Sequence, residues 1–500
     1  MKLVQGICWD AVSAIKSVMD PNLRSMRMAN YRCVFGKSVL SVLLLMSFFS
    51  GCSTSLRQPV SQSRDHAFIA YWPPAASGNP LRLAVKDLID VKGVVTTAGS
   101  EYLAKNGAPA ARDAECLSIA RQRNVQIVGK TTLSEFALSP TGSNDYYGTP
   151  KSPISGLLHT YIPGGSSSGS AVAIASGKAD VAFGTDSTGS IRTPAALCGI
   201  VGLKTTFGLV PLDGVFPVAD NLDTVGPMGK DIAHVVEGMD LLQNGFAARY
   251  RAAVAARPLA QQIKIGRLYL NGPNPGNLVI GITDPGSLIL GVADVRNLFF
   301  AITDPERLFR LGGTDARIDK AVDEALAKPQ FQVTPLDQDF KAKWLQAQQD
   351  SNVVAAAGAW INDHKYQDRI KVSARAKSVL ALGGFFHTTE YRNALRRQAD
   401  WKRTLNEVFT KVDFVAVPTL QTLPLRVPTV GSAPALEARM LALQNTSAVN
   451  FAGNPALAVP IPIRHANVPV TSLQLIGPRL SEAELLNAGR LIEASNPLHN

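Results

Sequence analysis

The chain has 500 residues, 46% apolar and 18% charged, a balance that excludes disorder over most of its length and leaves room for a large core. Its formal charge of +11 falls to +7 beyond Cys52, where 44 basic residues face 37 acidic ones, because six Lys/Arg and two Asp precede that cysteine. No basic run interleaved with aromatics accompanies the charge and no Cys or His pair has metal-ligand spacing, so a nucleic-acid binder and a metal hydrolase are both set aside.

The first element in chain order is an apolar stretch from Val39 to Phe49, preceded by Arg27, Arg32 and Lys37 and followed by Ser50, Gly51 and Cys52. A positive flank, a short apolar run and small residues before a cut describe an export signal, and the run is well short of the ~20 residues that span a bilayer. Phe49-Ser50-Gly51-Cys52 resembles a bacterial lipobox, with Phe49 where Leu is usual. That resemblance implies that Cys52 is lipidated and, with Ser53 rather than Asp after it, that the chain hangs from the outer membrane facing the periplasm. Residues 1–51 then read as leader and signal, 52–65 as a polar tether, and 66–496 as the folded body.

Leu83-Ala84-Val85 reads as a strand, with Lys86 at its end where a side chain can project into a site. A lysine held neutral by burial is a general base, although most lysines at strand ends are simply solvated. A second lysine, Lys92, follows a few residues on.

From Pro163 the chain runs Gly164-Gly165-Ser166-Ser167-Ser168-Gly169-Ser170 into the apolar Ala171 to Ala175, then Ser176-Gly177. That is a loop entering a helix with glycine as its stop. Val181 to Gly184 reads as a short buried strand, and Thr185-Asp186-Ser187-Thr188-Gly189-Ser190 as a second loop opening into a helix from Ile191. Two such loops joined by one helix and one strand return side by side at a sheet edge. Ser166 and Ser190 then face one another, and the main-chain N–H groups of Ser187, Thr188, Gly189 and Ser190 become donors for an oxyanion.

Between Asn274 and Gly313 the chain repeats about every ten residues: Asn274-Pro275-Gly276, Asp284-Pro285-Gly286, Asp294-Val295-Arg296 and Asp304-Pro305-Glu306 each lead an apolar run. Turn chemistry followed by strand-like runs predicts an insertion into the body, either a duplicated stretch of little function or a lid or partner surface.

The segment Gly164 to Lys204 resembles the signature of the amidase signature family almost throughout: Gly-Gly-Ser-Ser-Ser-Gly-Ser, then Gly-Thr-Asp-Ser-Thr-Gly-Ser-Ile-Arg, Pro-Ala-Ala-Leu-Cys-Gly and Val-Gly-Leu-Lys. Val85-Lys86-Asp87 with Thr96-Thr97-Ala98-Gly99-Ser100, Leu222-Asp223-Thr224-Val225-Gly226-Pro227, Asn450-Phe451-Ala452-Gly453-Asn454 and Leu473-Gln474-Leu475-Ile476-Gly477 are similar to further family segments. The resemblance implies a single large α/β/α domain, a mixed sheet covered by helices. It also implies hydrolysis of a small-molecule carboxamide through an acyl-serine, with Ser190 as nucleophile, Ser166 as bridging serine after a cis peptide from Gly165, and Lys86 as base, Lys92 being the alternative that precedes Gly rather than Asp. Asp186 and Arg192 match loop-bracing positions, and neither metal nor other cofactor is implied. Ser187-Thr188 departs from the Thr-Gly or Gly-Gly of many members. Homo-oligomerisation is left open.

Three other readings stand beside this one. Gly165-Ser166-Ser167-Ser168-Gly169 satisfies the nucleophile elbow of α/β-hydrolases, which would make Ser167 the nucleophile of an esterase with a distant His such as His387 or His465. A Gly/Ser loop at a helix start also suits a phosphate, but no Gly-Lys-Ser/Thr closes it. Finally, part of the family works on aminoacyl-tRNA with partners, so a silent or transamidating member of a complex is the third, against which the export signal counts.

Overall fold

The computed structural model describes residues 62–74, 81–155, 160–256, 262–270, 314–387, 389–427 and 433–494. The leader, Cys52, most of the tether and the repeat at 274–313 lie outside the described residues.

Eleven strands among the described residues form one mixed sheet: β1 (Phe68–Tyr71), β2 (Arg82–Lys86), β3 (Gln126–Thr131), β4 (Val181–Asp186), β5 (Val201–Lys204), β6 (Thr224–Gly229), β7 (Ile263–Arg267), β8 (Phe331–Pro335), β9 (Phe414–Pro418), β10 (Ala456–Pro462) and β11 (Val470–Ile476). Their order is β1-β3-β2-β4-β6-β5-β10-β11-β9-β7-β8. β2 runs parallel to both β3 and β4, as β7 does to β8 and β9. The remaining pairs are antiparallel. This is the mixed α/β sheet that the family resemblance implies. β4, β5, β6, β9 and β11 are buried along their whole length. Helices cover both faces of such strands, which is why their sequences are near-continuous apolar runs rather than alternations.

The helices that frame the site are α1 (Ser168–Ala175), α2 (Arg192–Cys198), α3 (Ile232–Leu242), α4 (Gln338–Asp363), α5 (Ala374–Phe386) and α6 (Ser447–Ala452). α1 carries small residues all round and is buried from Ser168 to Ile174, so it packs close against β2, β3 and β4. It ends as predicted at Gly177, whose φ of +68° suits glycine. The strand read as Val181 to Gly184 continues to Asp186, and the predicted second helix begins at Arg192 and closes on Gly199 with a left-handed φ of +70°. The predicted loop-helix-strand-loop-helix order is therefore observed. It delivers the two loops to the carboxyl ends of β2 and β4, the third and fourth strands in the sheet order, rather than to an outer strand.

Candidate functional site

Lys86 is the last residue of β2, one step beyond the Val85–Phe183 pairing with the parallel β4. The lysine is fully buried. Its Nζ lies 2.7 Å from Ser166 Oγ, 2.8 Å from Thr185 Oγ1 and 3.5 Å from the Thr185 carbonyl. No carboxylate touches it. Burial pushes the amine down from its usual 10.5 to about 7, against the opposite pull of the Asp186 and Asp223 charges. At neutral pH the group is therefore poised between a charged donor and a neutral base.

Ser166 is fully buried and follows a cis Gly165–Ser166 peptide, as the family resemblance implies. Ser190 is half-exposed, and its hydroxyl makes no hydrogen bond to a described residue. The two loops are tied through the main chain, the Ser167 N–H donating to the Ser190 carbonyl at 3.2 Å. Lys86 and Ser166 are thus in contact, while Ser190 lies on the adjacent loop with its hydroxyl uncommitted.

Asp186 and Arg192 form the brace under the second loop. The Asp186 carboxylate accepts from the Gly189 N–H at 2.7 Å and the Ile191 N–H at 3.1 Å, and from Arg192 Nη2 and Nε at 2.9 and 3.0 Å. Burial would raise this carboxyl, but the Arg192 guanidinium overrides it and holds the group well below the usual carboxylate range. Arg192 is itself fully buried and reaches across the sheet to Gln474 Oε1 at 2.6 Å and the Thr446 carbonyl at 3.0 Å.

This geometry corrects one expectation. Of the four main-chain N–H groups offered for an oxyanion, that of Gly189 is already committed to Asp186 Oδ1. Those of Ser187, Thr188 and Ser190 make no hydrogen bond to a described residue. The loop is also closely backed. Gly189 has φ +135°, and a Cβ there would stand 2.1 Å from Thr446 Oγ1, so only glycine fits.

The alternatives find less support in the structure. Lys92 is exposed on a turn, its N–H bonded to Asp113, with no contact to either serine. Ser167 Oγ turns to the Thr185 carbonyl at 3.3 Å. His387 stacks on Trp360 and Tyr391, and the exposed His465 offers only its carbonyl, to Arg317. No contact joins Ser167 to either histidine. Among the described residues no group of three or more His, Cys, Asp or Glu could hold a metal ion, and no helix is long and apolar enough to cross a membrane.

The sequence reading misses several groups. Thr185, Asn450, Gln474 and Thr446 surround the brace, Asn450 Nδ2 donating to Asp186 Oδ1 at 2.9 Å. Asp223 is buried and grips Ser187. Beside the first loop, half-buried Glu437 accepts from Ser139 and Thr141 hydroxyls and pairs with Arg375 at 3.1 Å. Asn450, Gln474 and Asp223 lie in segments already matched to the family, so the signal is present without a role attached. Nothing in the sequence singles out Glu437.

The comparisons with known proteins bear on the family and the fold. The family model described as Amidase matches residues 78–486. A glutamyl-tRNA(Gln) amidotransferase subunit from Halobacterium salinarum is 32% identical over 432 residues, covering 82% of this chain and 94% of the relative. The 2-amino-5-chloromuconic acid deaminase of Comamonas testosteroni is also 32% identical, over 423 residues, covering 83% and 81%. Among solved structures, the corresponding glutamyl-tRNA(Gln) amidotransferase subunit from Thermotoga maritima superposes with a TM-score of 0.65 at 22% identity over 96% of each chain. The 6-aminohexanoate cyclic dimer hydrolase superposes with a TM-score of 0.66 at 17% identity over 83% and 85%. These two likenesses show the fold.

Proposed function

The chain belongs to the amidase family, and from that premise we propose that it hydrolyses the C–N bond of a small-molecule carboxamide through an acyl-Ser190 intermediate. The observation that carries this reading is the 2.7 Å contact between a fully buried, carboxylate-free Lys86 amine and Ser166 Oγ. A neutral amine there can take the Ser166 proton while Ser166 takes that of Ser190, whose oxygen attacks the amide carbon. The hydroxyl-to-hydroxyl contact forms when substrate orders the Ser190 side chain. The developing oxyanion is met by the uncommitted N–H groups of Ser187, Thr188 and Ser190. The proton returns along Lys86 and Ser166 to the leaving nitrogen. Water then attacks the acyl-serine, giving a carboxylic acid and free Ser190.

A fluorophosphonate probe tests the reading directly. It is expected to label Ser190, mapped by peptide mass, and a panel of small amides should release ammonia or amine from the parent and not from Ser190→Ala. Labelling at Ser167, or turnover surviving in folded Ser190→Ala, would refute the assignment.

A second reading, a transamidating member of a complex, is favoured by the relative named for glutamyl-tRNA(Gln) amidotransferase. Ammonia release by the purified chain alone on simple amides separates the two, since a protein of that kind needs partners. The export signal and Cys52 lipobox support placement in the cell envelope, lipid-anchored and away from tRNA. Metabolic labelling with a fatty acid, lost in Cys52→Ala, tests that placement.

A further inference from the structure

Asp223 is outside the proposed relay yet touches the loop that serves it. It immediately precedes β6, which pairs with β4 so that Thr224 faces Asp186, and Thr224 Oγ1 donates to the Asp186 carbonyl at 3.0 Å. That register brings the Asp223 carboxylate to Ser187. Its Oδ1 accepts from the Ser187 hydroxyl at 2.5 Å, and its Oδ2 from the Val218 and Ala219 N–H groups at 2.8 and 3.0 Å. Thr185, two residues before Ser187, is the one that meets Lys86 Nζ. Lys86 is thus held by the residue before Asp186 and Asp223 by the residue after it, and both are buried.

The surrounding charges are few. Facing Lys86 are Ser166, Thr185, Asp186 and Asp223, and the Asp186 charge is answered by Arg192. Facing Asp223 are Ser187, the two N–H groups, Asp220 of the same turn, and Asp363 at the carboxyl end of α4. No cation among the described residues forms an ion pair with Asp223. Burial raises Asp223 to about 6, close to the value of about 7 to which burial lowers the Lys86 amine, so the two groups titrate in the same range.

We infer that Asp223 is a positioning residue of this site: its carboxylate fastens Ser187, and with it the N–H groups of Ser187 and Thr188, and it stands as the counter-charge on the Lys86 side of the loop. The inference rests on the acyl-serine reading for its meaning, but not for its test.

Asp223→Asn keeps the shape and an acceptor for Val218 and Ala219 while removing the charge. The measurement is the titration of Lys86 by NMR of 13Cε-labelled lysines, its signal assigned by its loss in Lys86→Ala. The Lys86 midpoint is expected to fall by on the order of one pH unit in Asp223→Asn, the acid limb of kcat/KM moving the same way, with kcat down roughly tenfold. Ser187→Ala, which keeps the carboxylate and removes the hydroxyl, should lower kcat while leaving the midpoint within about 0.3 unit. An unmoved Lys86 midpoint in folded Asp223→Asn overturns the inference, whether or not any amide is hydrolysed. Should that variant fail to fold, the parent serves: the Lys86 signal must show a second inflection as Asp223 ionises, and a single inflection overturns the inference equally. Absent amide turnover, or turnover surviving Ser190→Ala, instead defeats the acyl-serine reading and leaves the titration result standing.

Discussion

Lys86 and Lys130 sit on neighbouring parallel strands one register position apart, Lys86 opposite Thr131 and Lys130 opposite Val85, so their side chains leave opposite faces of the sheet. Both are buried. Lys130 meets the Asp87 carboxylate at 2.9 Å, the Ile89 carbonyl at 2.6 Å and Thr96 Oγ1 at 3.0 Å, a closed ion pair. Lys86 meets two hydroxyls and a carbonyl. The basic and acidic neighbours in Lys86-Asp87 look like partners in the sequence, yet the strand pleat turns Asp87 away to the other lysine. What decides whether a buried amine braces the fold or serves as a base is which face its strand position gives it.

The largest effect that sharpens this contrast is expected at Lys86. Lys86→Ala should lower kcat/KM by at least ~10³-fold, and Lys86→Arg should do no better, because a guanidinium stays protonated. In the parent, kcat/KM should fall tenfold per pH unit below about 7, where the amine is protonated. The same residue should cost stability. Unfolded, it keeps its proton up to 10.5, and folded, it releases it near about 7. Between these values the unfolded chain binds more protons, so native stability rises with pH across that window, and below it the cost is complete. Lys86→Met should therefore be inactive and yet more stable at pH 7 by on the order of 2 kcal/mol, read from denaturant midpoints. A Lys86→Met chain less stable than the parent would break the comparison at its root.

Opposite behaviour is expected across the sheet. Asp87→Ala or Lys130→Ala strands a buried charge and should destabilise by about 3–5 kcal/mol, while Asp87→Leu with Lys130→Met should recover most of that. Thermal unfolding of the two singles and the double gives the cycle. Whatever activity the folded double variant loses should appear without a shift in the acid limb of its pH profile.

The sequence carries this site unevenly. Ser166, Ser190, Asp186 and Arg192 fall within one contiguous stretch whose turn residues and apolar runs dictate loop, helix, strand, loop and helix, and the structure follows that order. The lysine is separated by most of a βα excursion, and only family likeness raises it above other strand-end lysines. Arg192 shows where reading stops. Its bracing role is legible, but its partners Asn450 and Gln474 arrive from strands and helices more than 250 residues on, through pairing of β10 with β5 and β11. Strands buried on both faces carry no alternation to fix neighbour or register, so the eleven-strand order cannot be derived from them. The commitment of the Gly189 N–H is equally hidden, because an aspartate three residues earlier can bend back to a loop or face away from it.

The smallest expected effects test whether burial, rather than residue type, makes the base. Lys92 has the same side chain as Lys86, lies six residues later, and is exposed where Lys86 is sealed. Removing an exposed side chain leaves no cavity and no orphaned partner. Lys92→Ala should hold turnover within about twofold and stability within about 0.5 kcal/mol. The histidines extend the same logic: His387 and His465 offer imidazoles at the surface, with no serine hydroxyl in contact. The double variant His387→Ala with His465→Ala should retain the parent kcat/KM and an unchanged acid limb. A large loss in that variant would move the base from a lysine to a histidine and return Ser167 to consideration.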